Sequence, residues 1–469
     1  MEISSEEMQI CLDVLQKIAS SNGTIERSQR FNSLVSKVAR EGRKYEEREK
    51  RQKQVEEDRL TTASTGMVRI QRDAIAPAAA LPAPEDEQPR RRLNIPEACY
   101  ICKEPFVDLH FFYHLLCPKC AEYNWRMRHL TSDLRGRTAL VTGGRVKIGH
   151  QTVLRLLRDG CRVILTTRFP HAAARRLHSE PDSADWRDRI HIYGLDLRNL
   201  PAIEAFSRHM LDNEAAIDIV IHNAAQTIKR PAGFYNEMVE LERNPQAALT
   251  SEAMSLVVQG APSTLAISDA SALLPALPTS EVTAGDRPAD ILPSDRLEDN
   301  EERADSRDMN SWLLPLDQVG PQELLEVQLV NSVAPFLLNA RLKPLLLRSP
   351  HERRFIVNVS AMEGQFARRK TIYHPHTNMA KASLNMMTRT SGDDYARDNI
   401  YMTSVDTGWV TDENPTPKRT KKQDDTGFYP PLDIVDGMAR IYHPIADGIN
   451  NPDTPYYGIF LKDYAPTPW

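Results

Sequence analysis

Long apolar runs and a strong net charge are both absent from the sequence. No segment approaches the roughly 18 consecutive apolar residues that a membrane span needs, and the stretch from Met1 to Glu7 lacks the basic and then apolar layout of a signal peptide. The net charge of −5 is small for 469 residues, which disfavours a nucleic acid or an anionic membrane as a partner. The sequence therefore predicts a soluble, cytoplasmic protein with no nucleic-acid and no membrane partner.

Cysteine is scarce, with six residues in the whole chain. They form two close pairs and two isolated positions: Cys99 with Cys102, Cys117 with Cys120, Cys11 and Cys161. Fourteen residues separate the pairs, and two Cys-x-x-Cys turns at this separation can direct four thiolates at one structural Zn²⁺. His110 and His114 lie between the pairs and could replace a thiolate, while a redox dithiol pair and unliganded cysteines are the alternatives. This usage is typical of metal binding in a reducing compartment rather than of a disulfide framework.

Composition divides the chain into four regions. They are a helical region at residues 1–74, a linker at 75–95, a zinc module at 96–133 and a larger domain at 134–469. Ser4 and Glu7 fit a capping box that opens the first helix, and a second, densely charged helix begins near Gln29. We interpret the charged helix as a solvated face, with a coiled coil or a helix for a protein partner as the alternative. The linker is rich in Ala, Pro and Glu, which cannot bury a core.

Beyond Leu134, strand and helix signals alternate to the end of the chain, which predicts an α/β fold with a Rossmann-like, doubly wound parallel sheet. The predicted strands are Thr138–Thr142, Arg162–Thr167, Arg189–Tyr193, Ile217–Ile221, Arg354–Val359, Ile400–Val405 and Tyr457–Leu461. A low-complexity insertion at about residues 230–310 is rich in Ala, Ser, Pro and Asp and is expected to be largely disordered. Its part from Gln246 to Arg307 is expected to be removable without unfolding the domain.

The stretch from Thr138 to Gly149 reads as a buried strand that leads through a turn into a helix. Gly143 and Gly149 allow a close backbone approach, and the helix N-terminus presents N–H groups to an anion. This arrangement predicts a cradle for the pyrophosphate of a dinucleotide, although an ordinary α/β connection has the same pattern.

With these segments in hand, the region from about Leu134 to Trp469 resembles the short-chain dehydrogenase/reductase family. The matching cofactor motifs are the turn with Gly143, Lys147, Ile148 and Gly149; Asp196 at the adenine position; Asn223 and Ala224 after the fourth strand; and Gly408 in the turn over the nicotinamide. The matching catalytic positions are Asn331, Ser360, at or next to the tetrad serine, and Lys381. The middle glycine of the family's turn is replaced by Lys147.

The resemblance implies a nicotinamide cofactor. Arg168 follows the second strand of the domain, where the adenine ribose would arrive, and with Arg145 and Lys147 it could hold a 2′-phosphate. We therefore expect NADP(H), with NAD(H) as the alternative, and solvated loop charges as the competing interpretation of the three basic residues.

One departure bears on catalysis, because Thr377 stands where the family has its catalytic tyrosine, four residues before Lys381. An aliphatic alcohol is a far poorer proton donor than a phenol. Tyr373 and His376 lie just upstream and are candidate substitutes. Two functions follow: an oxidoreductase acting on a carbonyl or alcohol substrate, or a catalytically inactive NADP(H)-binding scaffold or sensor that recruits a protein partner. The family also associates commonly through the helices that carry Asn331 and Lys381, which implies a homo-oligomer.

Overall fold

The computed structural model describes residues 3–21, 28–73, 91–230, 232–259 and 304–469. Helices and strands are numbered below in chain order. In this part of the chain, no helix combines the length and the apolar character that crossing a membrane requires.

The chain opens with three helices. They are α1 (Ser5–Ser20), α2 (Gln29–Ala63) and α3 (Gly66–Asp73). The capping box predicted for α1 is confirmed, because the Ser4 hydroxyl accepts a hydrogen bond from the Glu7 N–H at 3.2 Å and the Glu7 carboxylate accepts one from the Ser4 N–H at 2.9 Å. Neither α1 nor α2 buries a residue.

The cysteine-bearing module is larger than the sequence indicated. It contains an antiparallel pair, β1 (Arg92–Ala98) and β2 (Pro105–Asp108), followed by α4 (Pro118–Arg128). Strand β1 begins inside the predicted linker, and α3 packs Met67 into the same apolar cluster as Phe112. The structured part of the module thus begins before the predicted boundary at residue 96, because non-local pairing, rather than composition, places β1 in it. The predicted linker up to residue 90 lies outside the described residues.

The main domain is built on an eight-stranded sheet in the order β10-β9-β8-β7-β6-β3-β4-β5. The strands are β3 (Thr138–Thr142), β4 (Arg162–Thr167), β5 (Ile190–Gly194), β6 (Ile219–His222), β7 (Arg354–Ser360), β8 (Ile400–Asp406), β9 (Phe460–Lys462) and β10 (Ala465–Thr467). All neighbours are parallel except β9 and β10. The doubly wound parallel sheet is thus confirmed: β3 and β4 have the predicted bounds, and the ends of the other predicted strands differ by at most three residues. The order reverses between β3 and β6, and in such sheets the crevice at that point receives ligands.

Helices cover both faces of the sheet. They are α5 (Lys147–Arg158), α6 (Pro170–His178), α7 (Leu200–Asn213), α10 (Pro321–Gln328), α11 (Ala334–Leu347), α12 (Pro375–Arg397), α13 (Thr416–Thr426) and α14 (Ile434–Asn450). Strand residues alternate between the two layers: Ala139 and Val141 belong to the cluster with α5 and α14, whereas Leu140 belongs to the cluster with α7 and α11. Both faces are buried, as a parallel sheet requires.

The insertion is partly ordered, which corrects the expectation for residues 230–310. Helices α8 (Asn236–Arg243) and α9 (Ser251–Ser255) are followed by Val257, which forms a parallel bridge with Ile192 at the β5 edge. The Ile192 N–H donates to the Leu256 carbonyl at 2.8 Å, and the Val258 N–H donates to the Ile192 carbonyl at 2.9 Å. The Val257 side chain is buried. At the other end, Asp305 and Arg307 are also buried. The predicted removable stretch 246–307 therefore includes core residues, while its part at 260–303 lies outside the described residues.

Candidate functional site

The turn between β3 and α5 has little free space at its glycines. Gly143 has a φ of +72°, in the left-handed region that side chains disfavour. A Cβ on Gly149 would lie 2.2 Å from the Gly143 carbonyl oxygen and 2.4 Å from Asn223 Nδ2. Asn223 Nδ2 donates to that same carbonyl at 2.9 Å, and the Ala224 N–H donates to the Thr142 hydroxyl at 3.1 Å. The segment after β6 thus holds the turn in shape.

Lys147 and Ile148 begin α5 directly after this turn. Lys147 has a φ of +52°, so a lysine occupies the left-handed conformation that a glycine adopts more readily. Ile148 lies against α14, where its side chain is the nearest neighbour of Gly437.

Two of the predicted phosphate ligands lie among aromatic rings. The Arg168 guanidinium carbon is 4.9 Å from the centroid of the Tyr235 ring and 5.4 Å from that of Phe169. The Arg145 guanidinium is 5.6 Å from the Phe169 ring. Tyr235 belongs to the insertion, so the insertion covers the strand end where the sequence predicted the adenine ribose.

Asp196 follows β5 and is held by Arg198. The Arg198 Nη2 donates to one Asp196 oxygen at 2.6 Å and its Nε to the other at 3.0 Å. Burial opposes ionisation of Asp196, but the Arg198 guanidinium outweighs it and holds the pKa of the carboxyl below its usual range. Asp196 is therefore a charged acceptor in the crevice.

Asn331 occupies a π-helical turn at Leu329–Val333 that joins α10 to α11. Its amide is buried and bonds both ways to one residue: Oδ1 accepts the Gln226 N–H at 2.7 Å, and Nδ2 donates to the Gln226 carbonyl at 3.0 Å. Asn331 thereby ties its helix to the segment after β6. Single π turns are frequent at functional sites.

Lys381 and Ser360 lie together where β7 meets α12. The Lys381 ammonium donates to the Val359 carbonyl at 2.7 Å, and burial lowers the pKa of this lysine to about 8. The Ser360 hydroxyl is buried and lies 3.5 Å from the Lys381 carbonyl oxygen. Ser360 therefore faces the α12 side of the sheet, like Asn358, which donates to the Thr388 hydroxyl at 2.8 Å.

The three candidates for proton transfer have different surroundings. Thr377 is buried one helical turn before Lys381, and its hydroxyl has no hydrogen-bond partner within the described structure. His376 is buried with its Nε2 atom 3.4 Å from a Glu323 carboxylate oxygen on α10. Tyr373 is 38% exposed on the loop before α12. Only Thr377 and His376 are thus enclosed by the fold.

Residues 304–315, called the closing segment below, cross the crevice between the β3–α5 turn and α12. Asp305 pairs with Arg230 at 2.6 Å and with Arg307 at 2.7 Å. The cavity that Asp305 lines with Lys147 and Arg230 has a volume of about 10 Å³, room for about one water molecule. Since small-molecule pockets usually enclose about 300–1,000 Å³, a ligand that uses this part of the crevice must displace the segment.

The turn after β8 contains Gly408. Its N–H donates to Asp406 Oδ1 at 2.9 Å, and the following N–H, of Trp409, donates to the Tyr100 hydroxyl at 3.0 Å. The turn therefore contacts the cysteine-bearing module.

The four predicted metal ligands converge. The Sγ atoms of Cys99, Cys102, Cys117 and Cys120 all lie within 4.8 Å of one another. The distance from Cys102 Sγ to Cys117 Sγ is 3.7 Å, close to the roughly 3.8 Å between two sulfurs of a tetrahedral zinc site with 2.3 Å bonds. The two histidines between the cysteine pairs have other partners. His110 Nδ1 accepts the Phe112 N–H at 3.1 Å, and His114 Nε2 lies 3.2 Å from the Tyr429 carbonyl oxygen.

Several contacts in the site had no signal in the sequence. Tyr235, Arg230 and Asp305 lie in or beside the low-complexity stretch, and Tyr100 lies 309 positions before its partner Trp409. Gln226 meets Asn331 through backbone atoms, which carry no residue preference. A basic pair after the fourth strand of the domain, Lys229 and Arg230, was the one visible hint.

The sequence matches one family model and several individual proteins. A family model described as short chain dehydrogenase matches residues 137–260. An uncharacterised protein of Acanthamoeba polyphaga mimivirus is 32% identical over 364 residues, which cover 74% of this chain and 71% of that protein. Human dehydrogenase/reductase SDR family member 13 is 41% identical over 95 residues, which cover 20% of this chain and 24% of that protein. The chain thus spans about a quarter of the length of that human relative.

Among solved structures, a short chain dehydrogenase from Salmonella enterica has 17% sequence identity and a TM-score of 0.44. The superposition covers 71% of this chain and 99% of that one.

Proposed function

We propose that this chain is a member of the short-chain dehydrogenase family, whose model matches residues 137–260, and that it is an NADP(H)-dependent oxidoreductase acting on a carbonyl or alcohol carbon. The observation that carries the proposal is the β3–α5 turn, which leaves no room for a Cβ at Gly149 and opens onto the basic residues Lys147 and Arg145. Such a turn approaches a pyrophosphate through its backbone N–H groups.

The preference for NADP(H) over NAD(H) rests on Arg168. It follows β4 at the position where an acidic residue would bind the ribose hydroxyls of NAD(H). Charge-assisted hydrogen bonds to a phosphate contribute about 1.5–3 kcal/mol each. We expect NADPH to bind more tightly than NADH, and Arg168→Ala to remove most of that difference in a fluorescence titration. Equal affinities in the unmodified protein would contradict the assignment.

In the proposed reaction the cofactor supplies or accepts the hydride, and the chain's residues bind and handle protons. Lys381 would bind the ribose hydroxyls, and Ser360 would polarise the substrate oxygen. The alkoxide left by hydride transfer needs a proton, which Thr377 alone supplies poorly. His376 is a stronger candidate, because it is buried directly beside Thr377 in the chain and carries an imidazole, the side chain that most often transfers protons in enzymes. The exposed phenol of Tyr373 is the alternative donor.

A second function, an inactive NADP(H)-binding scaffold, is favoured by the surroundings of Thr377 and Ser360. Thr377 carries no phenol, and the Ser360 hydroxyl lies against the Lys381 carbonyl. In this case the N-terminal helices or the zinc module would recruit a protein partner. Helix α1 supports that role with a set of exposed apolar side chains: Met8, Ile10, Leu12, Val14 and Leu15.

One experiment separates the two functions. Purified protein is titrated with NADPH and then assayed for NADPH oxidation with a panel of aldehydes and ketones. Turnover supports the oxidoreductase, whereas tight binding without turnover supports the scaffold. Thr377→Tyr and Thr377→Val form a matched pair: activity that arises only in Thr377→Tyr would favour the scaffold for the native chain, because the missing phenol is then the sole defect.

We also propose that the four cysteines hold one structural Zn²⁺. The convergence of the four thiols supports it, because four thiolates complete a tetrahedral shell and leave no position for catalysis. Metal analysis of protein purified under reductant is expected to find one zinc per chain, and Cys117→Ser to release it, with Cys11→Ser as the control at an exposed cysteine. Protein without zinc under these conditions would refute the proposal.

A cytoplasmic location and a homo-oligomer complete the proposal. None of the six cysteines forms a disulfide, and the proposed zinc thiolates suit a reducing compartment. Exposed apolar side chains lie on α11 and α12, namely Phe336, Met379 and Met386, on the helices through which the family associates. Sedimentation of the purified chain is the test, and a monomer would contradict the oligomer.

A further inference from the structure

The cysteine-bearing module contacts the turn at residues 407–410, which resembles the family's turn over the nicotinamide. Tyr100 lies between Cys99 and Cys102 in the first Cys-x-x-Cys segment. Its hydroxyl accepts the Trp409 N–H at 3.0 Å. A residue between the first two cysteines therefore forms a hydrogen bond with the backbone of a segment more than 300 positions away.

Two backbone N–H groups of the 407–410 turn donate hydrogen bonds, one to the main domain and one to the cysteine-bearing module. The Gly408 N–H donates to Asp406 Oδ1 at 2.9 Å, within the turn's own strand. The carboxylate of Asp406 is in turn fixed by the Lys462 ammonium at 2.8 Å. The Trp409 N–H donates to the Tyr100 hydroxyl, so this bond restrains the turn from the side of the cysteine-bearing module.

Packing reinforces the hydrogen bond. Val410, the last residue of the turn, packs against the module's apolar cluster, which contains Cys99, Tyr113 and Leu432. A Cβ on Gly408 would lie 2.5 Å from Leu432 Cδ1, a main-domain residue of the same cluster. The turn is thus packed against the module through Val410 and against the main domain through Leu432, and close-packed groups transmit displacement.

We propose that Tyr100 is a positioning residue for the cofactor site, and that its hydroxyl holds the 407–410 turn in the conformation that receives the nicotinamide end of NADP(H). This inference rests on the proposed function for its cofactor. The module is then part of the binding site rather than an independent appendage.

The test compares the full-length protein with Tyr100→Phe, which removes one hydroxyl and keeps the ring. Tyr123→Phe on α4 is the matched control, because its ring lies in the same module, 5.6 Å from Tyr464 and away from the turn. Hydrogen–deuterium exchange of the peptide containing the Trp409 amide and the NADPH dissociation constant are measured for each, with zinc content and thermal midpoint. Tyr100→Phe is expected to speed exchange and weaken NADPH binding, each about threefold to tenfold, the usual effect of one lost hydrogen bond. Its zinc content is expected to stay unchanged.

The outcomes separate this inference from the proposed function. If the unmodified protein does not bind NADPH, the proposed function fails and amide exchange alone decides the role of Tyr100. If Tyr100→Phe changes neither exchange nor affinity, or if Tyr123→Phe changes both to the same extent, the positioning role is overturned.

Discussion

At the scale of single residues, Lys147 has a strained backbone conformation and a positively charged side chain. Its φ of +52° costs a side chain about 1–2 kcal/mol relative to the right-handed region, a cost that glycine does not have. The positive charge beside the crevice is the benefit that can offset this strain in the presence of a phosphate.

A matched pair of variants tests that balance at Lys147. Lys147→Gly is expected to raise the free energy of unfolding by about 0.5–1 kcal/mol, since relief of strain exceeds the added entropy of the unfolded chain. Lys147→Ala keeps the strained φ and is expected to show no such gain. Both variants should bind NADPH several-fold more weakly. Urea unfolding and a binding titration measure the two effects, and equal stability of the two variants would refute the strain.

Lys381 makes a second residue-scale prediction, through pH. Burial lowers the pKa of its ammonium from 10.5 to about 8. Between these values the unfolded chain binds more protons than the native one, so the stability of the native state rises with pH across the window. Below pH about 8 both states are protonated and the full penalty for burying the charge is present.

Comparison with Lys381→Met isolates this effect. From pH 7.5 to 10, the unfolding free energy of the native protein is expected to increase relative to Lys381→Met by up to about 3 kcal/mol. Lys418→Met, at an exposed lysine on α13, is the control. A constant difference between native protein and Lys381→Met over this range would show that the ammonium is not desolvated.

At the scale of elements, the insertion pairs with the edge of the sheet instead of forming a separate loop. Val257 pairs with Ile192 at the β5 edge and is buried with Leu256 in the apolar cluster that includes α5 and α14. An uncovered edge strand presents unpaired N–H and C=O groups. The short pairing at Val257 covers part of that edge.

Val257→Asp tests the role of this pairing. We expect the free energy of unfolding to fall by at least about 2 kcal/mol, because a carboxylate replaces a buried side chain. Ser255→Asp introduces the same charge two residues earlier at an exposed position and is expected to change stability by less than about 0.5 kcal/mol. Urea unfolding measures both. Similar values for the two variants would mean that this part of the insertion is dispensable, as its composition alone suggested.

At the scale of the whole molecule, the closing segment fills part of the crevice in which we propose that the dinucleotide binds. Asp305 ties the segment to Arg230, and the Asp305 carbonyl accepts the Thr416 N–H at 2.8 Å at the start of α13. When only a fraction of molecules is open, the apparent affinity of a ligand falls by that fraction. We therefore expect the ion pairs of Asp305 to oppose binding of the proposed cofactor.

Asp305→Asn weakens these ion pairs without changing the size of the side chain. We expect NADPH to bind several-fold more tightly to this variant, since the open form becomes more populated. Asp308→Asn makes the same change of charge at an exposed residue of the segment and should leave affinity unchanged. Unchanged or weaker binding in Asp305→Asn would show that the segment does not oppose the cofactor.

The sequence by itself determined the features that have a local or periodic signature. Apolar runs at strand length predicted the parallel sheet, because a strand buried on both faces needs continuous apolar residues. The spacing of Cys99, Cys102, Cys117 and Cys120 predicted their convergence, since a Cys-x-x-Cys turn directs two thiols at one point. The cap at Ser4 was visible for the same reason, as both partners lie within one helical turn.

Only the tertiary structure decided which distant segments share the crevice. Tyr100 meets Trp409 and Val257 meets Ile192 across long stretches of chain. A hydrogen bond to a backbone N–H or a short strand pairing imposes almost no residue preference at its partner, so such contacts leave no pattern in a single sequence. Composition averaged over the insertion also hid the few buried residues at its two ends, which the packing of the sheet edge and the crevice selects.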